Sequence, residues 1–203
     1  MFYDPRAGDH GMAVDPFKAV IAPRPIGWIS TLAADGRANL APYSFFNAVG
    51  EAPHYLAFGS GASHSGGAKD TLRNIEATGE FVHNLATFEL RAAMNASSAN
   101  LVHGMDEFEI SGLAKAPSRM VACPRVAASP AAFECRLHQI VALPDEDGEA
   151  VDHLVIGRVI GVYISDAFIR DGRVDTAAMQ PIARLGYSEY ATVTEAWRMR
   201  RPE

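Results

Sequence analysis

The run Leu154-Val155-Ile156-Gly157-Arg158-Val159-Ile160-Gly161-Val162-Tyr163-Ile164 is the longest strand signal in the chain, and it admits few folds. Branched and aromatic residues dominate it, as they do in strands. Gly157 and Gly161 interrupt the packing, so they mark bulges or tight bends of the kind a small barrel uses at its corners. Phe133 to Gln139 alternates with period two, as a half-exposed strand does. Earlier, Ile26 to Leu32 and Asn39 to Phe46 flank Ala34-Asp35-Gly36-Arg37, whose Asp-Gly step predicts a hairpin turn. Pro42 puts the middle of the return run at an edge, a bulge or a bend. His54 to Gly59 and Phe81 to Leu85 complete the strand candidates. A helix capped by Thr87 would carry Leu90, Met94 and Leu101 inward. Strands joined by hairpin turns, with two or three short helices, predict a mainly β fold: an antiparallel β-barrel with peripheral helices.

At 203 residues the chain suits a single domain over its whole length, with an arm over residues 1–16 and a tail over 191–203. Its formal net charge of −6 argues against nucleic-acid binding, which needs a basic excess. Arg198, Arg200 and Arg201 read as a solvated tail. Two cysteines, Cys123 and Cys135, lack zinc-site spacing and suit a reducing compartment. The N-terminus shows no signal peptide and no apolar run reaches membrane-spanning length, so a cytoplasmic, non-membrane protein is expected.

Several chemistries fail on spacing. Gly59-Ser60-Gly61-Ala62-Ser63-His64 has His64 where a dinucleotide fingerprint needs its third glycine. Gly61-Ala62-Ser63-His64-Ser65 lacks the closing glycine of a hydrolase nucleophile elbow. The seven histidines show no pair at metal-ligand spacing on one helix, and no metal is expected. The acidic turn Pro144-Asp145-Glu146-Asp147-Gly148 lacks the frame of a calcium loop.

Lys69-Asp70-Thr71-Leu72-Arg73-Asn74-Ile75 is different. Asp70 or Thr71 can cap a helix there, Leu72 and Ile75 share an apolar face, and Gly79 stops it. A helix start offers unpaired N–H groups and partial positive charge, which suit a phosphate. Lys69 adds a cation, and Thr71, Ser60, Ser63 and Ser65 add hydroxyls. The first predicted hairpin carries Trp28, Ser30, Thr31, Asn39, Ser44, Phe45, Phe46 and Asn47, more aromatic and hydroxyl character than a hairpin needs. Together these features suit a ligand with a flat polar ring and a phosphorylated tail, such as FMN.

Arg24 to Thr31, Asn39 to Asn47, Lys69 to Thr71, Gly79 to Asn84, Asp106 to Phe108, His153 to Val159 and Pro181 to Tyr187, in that order, resemble the flavin reductase-like, FMN-binding split-barrel family. The resemblance runs from about Val14 to Tyr190. It implies a Greek-key split barrel, FMN held without a covalent link, and a homodimer whose interface helps form the site. Carried over, Trp28, Ile29, Ser30, Thr31, Pro42, Ser44, Phe45, Phe46 and Asn47 would surround the ring and ribityl chain. Ser60, Lys69, Asp70 and Thr71 would hold the phosphate, with Arg184 and Tyr187 close by. Backbone N–H groups near Ser44 to Phe46 and the Ser30 and Thr31 hydroxyls would support the N1/O2 edge of the ring. His153 is the one candidate for touching the nicotinamide or the flavin during reaction. The activity implied is an NAD(P)H-dependent flavin reductase, with NADH or NADPH as donor and a monooxygenase or electron-transfer protein as partner. The alternatives are a flavoredoxin-like electron carrier and a flavin-binding module without turnover.

Overall fold

The computed structural model describes residues 1–61, 68–99 and 104–202; Ser63, Ser65, His64 and Leu101 lie outside the described residues. One helical turn, α1 (Phe17–Val20), and a two-residue strand, β1 (Arg24–Pro25), lead into the expected first hairpin, β2 (Gly27–Leu32) and β3 (Ala38–Tyr43). Gly36 takes φ +87° in the turn between them, a conformation that suits glycine. A second hairpin, β4 (Phe46–Glu51) and β5 (His54–Gly61), precedes α2 (Asp70–Thr78) and β6 (Glu80–Leu85). Two short helices follow, α3 (Arg91–Ala96) and α4 (Glu107–Ile110), then a small ribbon of β7 (Lys115–Ala116) and β8 (Arg125–Val126). The long hairpin is β9 (Ala131–Pro144) and β10 (Ala150–Ile164). The chain ends with a hairpin of β11 (Ile169–Arg170) and β12 (Arg173–Val174), then α5 (Thr176–Met179), β13 (Ile182–Arg184) and β14 (Tyr190–Thr192).

Seven strands form one sheet in the order β3-β2-β6-β9-β10-β5-β4, and every pair is antiparallel. The two early hairpins therefore lie at opposite edges, with three later strands between them. Yet only Ser44 and Phe45 separate β3 from β4. Three backbone steps reach at most about 11 Å. Seven strands laid flat would put those edges roughly 29 Å apart. The sheet must curl until its edges approach, and the result is the split barrel. A separate ribbon, β1-β13-β14, lies beside it.

The glycines of β10 do what the curl requires. Its register against β9 slips between Ile156 and Gly157 and again between Val159 and Gly161. A Cβ on Gly157 would sit 2.3 Å from the ring of Phe81, so glycine also lets that buried ring approach the strand.

Both faces of β2 are covered. Trp28 packs with Leu40, Met94, Phe108 and Val126 on one side. Ile29 packs with Tyr43, Phe58, Leu72, Ile75 and Phe81 on the other. Helix α2 closes as expected, with Gly79 at φ +70° and its N–H bonded to Ile75 O at 2.8 Å. Its start differs from expectation. Lys69 is the N-cap residue and makes no side-chain cap bond. Asp70 Oδ2 instead accepts from Gly104 N at 3.3 Å, and Thr71 Oγ1 accepts from Asn39 Nδ2 at 2.9 Å. Nor does Thr87 cap α3, which starts four residues later behind Leu90; Thr87 closes the preceding turn. Among the described residues, no helix is long and apolar enough to cross a membrane.

Candidate functional site

A cavity of about 390 Å³ opens where the Pro42–Ser44 corner meets α1, α3 and the late ribbon. Pro42, Ser44, Arg184 and Tyr187, all singled out from the sequence, line it together. Pairing of β1 with β13 sets Arg24 directly opposite Arg184 and brings these distant segments side by side. The Arg184 guanidinium donates to the Tyr190 hydroxyl at 2.5 Å and to the backbone oxygen of Tyr187. Tyr187 sits at φ +52°, the left-handed region that costs a non-glycine residue about 1 kcal/mol. The Arg184 bond to its carbonyl offsets that cost and keeps the tyrosine at the cavity rim.

Arg24, which the sequence reading did not single out as a site residue, ties this wall together. It is buried, and its guanidinium donates to the carbonyls of Lys18 and Ile21 and to Leu185 O at 2.9 Å. Gly186 completes the join, since a Cβ there would meet the Cβ of Ala19 at 2.8 Å. The one advance sign of Arg24 was a lone arginine opening an apolar run.

The phosphate-ready helix start is next to the same corner through Tyr43. That ring lines the cavity, and Lys69 Nζ lies 5.4 Å from its centre. Burial pushes the Tyr43 hydroxyl up to about 12, against a smaller downward pull from the nearby Thr71 and Ser60 hydroxyls. Even so, neither Tyr43 Oη nor Ser60 Oγ completes a hydrogen bond among the described residues, though both are buried. Two orphaned hydroxyls beside a helix start without a side-chain cap are a polar vacancy that an anion fits.

Other candidates turn inward, for a common reason: β2 is covered on both faces. Trp28 is sealed in the core, with Nε1 donating to Ser97 Oγ at 2.9 Å. Ile29 is core. Ser30 donates to Pro124 O at 2.6 Å and accepts from Asn84 Nδ2 at 3.1 Å. Thr31 Oγ1 accepts from Asn74 Nδ2 at 3.0 Å and Asn39 Nδ2 at 3.3 Å. These four side chains are buried in the barrel wall. Phe46 also turns in, stacked on His83 with ring centres 4.5 Å apart and close over Gly27. The Asp70 carboxylate is negative and serves Gly104 N and Arg73, so any part Asp70 has in holding an anion falls to its backbone N–H at the start of α2.

Phe45 stays half exposed at the corner, with Lys18 Nζ 5.8 Å from its ring centre. Asn47 is exposed, and its side-chain oxygen accepts from the next backbone N–H, that of Ala48, at 2.8 Å. His153 pairs directly opposite Ser60 across β10 and β5, which puts it on the same face of the sheet as that orphaned hydroxyl.

A family model described as the flavin reductase like domain matches residues 20–177. The chain belongs to the flavin reductase-like family, a class of flavin-related oxidoreductases. A protein of Deinococcus radiodurans with no assigned role is 38% identical over 83% of this chain and 74% of its own. Among solved structures, nitrilotriacetate monooxygenase component B from Bacillus cereus superposes with a TM-score of 0.90 at 27% identity, covering 98% of each chain. The 2-nitrobenzoate 2-nitroreductase of Pseudomonas fluorescens superposes with a TM-score of 0.79 at 29% identity, covering 92% of this chain and 88% of its own.

Proposed function

We propose that this protein binds FMN without a covalent link and uses it to pass electrons from NADH or NADPH to an acceptor. One observation carries the reading: among the described residues Ser60 Oγ and Tyr43 Oη lie buried without a hydrogen-bond partner, and the Tyr43 ring lies beside Lys69 at the start of α2. Of the groups flavin-dependent enzymes employ, a phosphorylated tail fits this vacancy. The α2 N–H groups and the Ser60 and Thr71 hydroxyls supply donors, and Lys69 supplies charge. The Pro42–Ser44 corner, at one side of the cavity, would hold the flat ring. When bound, FMN supplies hydride acceptance and electron return at its ring. The chain's own part is to bind, orient and exclude water, and it needs no catalytic triad. Likeness to a monooxygenase component supports a monooxygenase as the consumer of reduced flavin.

A homodimer belongs to the same proposal. Val49 on edge strand β4 is 58% exposed, and Phe45 and Phe88 are each 44% exposed, apolar surface that a second copy would cover. Two buried, unbridged thiols support a reducing compartment such as the cytoplasm.

The test is a fluorescence titration of the purified protein with FMN, followed by NADH or NADPH while nicotinamide absorbance is recorded. Saturable binding with donor oxidation is expected. Binding with neither donor oxidised would remove the reductase and leave an electron carrier fed by a protein. Absence of binding would remove both.

A further inference from the structure

Three cations line the 390 Å³ cavity, Lys18, Arg24 and Arg184, against the single carboxylate of Asp15. Asp15 is already engaged, its Oδ1 accepting from Phe17 N at 2.8 Å. Among the described residues, none of the three cations forms an ion pair. Arg24 is buried and bonded to carbonyls, and its Nε has no hydrogen-bond partner among the described residues. Arg184 stands directly across the ribbon from it, bonded to a hydroxyl and a carbonyl. Burial, and next the charge of Arg184, holds the Arg24 guanidinium below its usual range. Two arginines set opposite each other across the ribbon, with no ion pair among the described residues, give this wall a positive field that favours an anion. A chain whose overall charge is −6 has acids to spare, yet among the described residues only Asp15 stands in this wall against three cations.

We propose that this cavity contains an anion subsite, formed by Arg184 and Lys18 in the field of Arg24, that takes the carboxylate of a small flat organic acid. The monoanion is favoured over a phosphate because Asp15 stands in the same wall and opposes a second negative charge. The flat shape follows from the Tyr190 ring, which lies against the Arg184 guanidinium, and from Tyr187, Pro42 and Ile26 in the lining of the same cavity. The proposal rests on the flavin reading for the role of the acid as second substrate, but its binding stands without flavin.

The probe is benzoate, with benzamide as its neutral counterpart of the same shape. Calorimetry on the purified protein, flavin-free and FMN-loaded, should show benzoate binding at least tenfold tighter than benzamide. Arg184→Gln should remove most of that preference, and Arg184→Lys should restore part of it. Equal binding of the two probes, binding of neither, or inorganic pyrophosphate binding in preference to benzoate would overturn the subsite. The wild-type comparison needs no substituted protein to fold. FMN titration is read separately: benzoate discrimination without FMN binding removes the flavin reading alone, and FMN binding without discrimination removes the subsite alone.

Discussion

The side-chain amide of Asn39 on β3 donates to the hydroxyl of Thr71 on α2 at 2.9 Å, inside the protein and away from solvent. The same amide reaches Thr31 at 3.3 Å, and Asn74 reaches Thr31 at 3.0 Å. These four residues bolt the start of α2 to the first hairpin. Asn39→Ala should therefore destabilise the fold by about 1–3 kcal/mol, because Thr71 and Thr31 lose a buried donor. It should also weaken FMN binding by loosening the helix start. Urea unfolding with flavin titration checks both. An unchanged midpoint would show that the bolt carries no stability.

Charge reversal at the N-cap tests the phosphate seat. Lys69→Glu places a carboxylate where an anion is proposed to sit, and Lys69 makes no ion pair among the described residues that the change would break. FMN affinity should fall tenfold or more, the equivalent of about 1.4 kcal/mol or greater. Thermal stability should stay near the parent's. Undiminished affinity in the folded variant would move the phosphate elsewhere.

Gly157 and Phe81 should behave as a coupled pair. Gly157→Ala forces a methyl to within 2.3 Å of a buried ring and should cost about 1–3 kcal/mol. Adding Phe81→Leu should recover part of that loss, so the double variant is less destabilised than the sum of the singles. Strict additivity in a double-mutant cycle would contradict the packing described.

His83 makes stability pH-dependent. It is buried between Phe46 and Phe133, and its Nε2 bonds Ile26 O at 3.3 Å while Nδ1 has no partner among the described residues. Burial lowers its pKa from 6.5 to about 4. Between those values the unfolded chain binds more protons than the folded one, so stability is full above pH 6.5 and declines as pH falls toward 4. The loss from this group is on the order of 3 kcal/mol across the window. Denaturation midpoints measured from pH 7 to 4 should show it, with a shallower slope in His83→Phe. Equal slopes in the two proteins would assign the acid sensitivity to other groups.

Local signals announced much of this molecule. The Asp35-Gly36 turn, the Gly79 stop, the apolar Leu72 and Ile75 pair and the two glycine bulges of β10 each depend on neighbours within a few residues. Of the edge, bulge or bend that Pro42 predicted, the structure shows the edge, because β3 is a terminal strand of the sheet. The site was legible in part. Of the candidate site, Lys69, Ser60 and Thr71 could be proposed because a helix start and its hydroxyls are short-range chemistry. That Trp28, Ser30 and Thr31 spend their side chains inside the barrel could not be read, since aromatic and hydroxyl residues in a strand look alike whether they meet a ligand or a neighbouring helix.

Residue order alone was enough for the strands, the turns and the chemistry available at one helix terminus, because backbone preferences and hydrophobic period act over short distances. Folding in three dimensions settled which side chains remain free. Closing seven strands into a barrel covered β2 on both faces and spent its polar groups internally, and pairing β1 with β13 set two arginines face to face. Burial and charge proximity depend on segments far apart in the chain, and no local pattern encodes them.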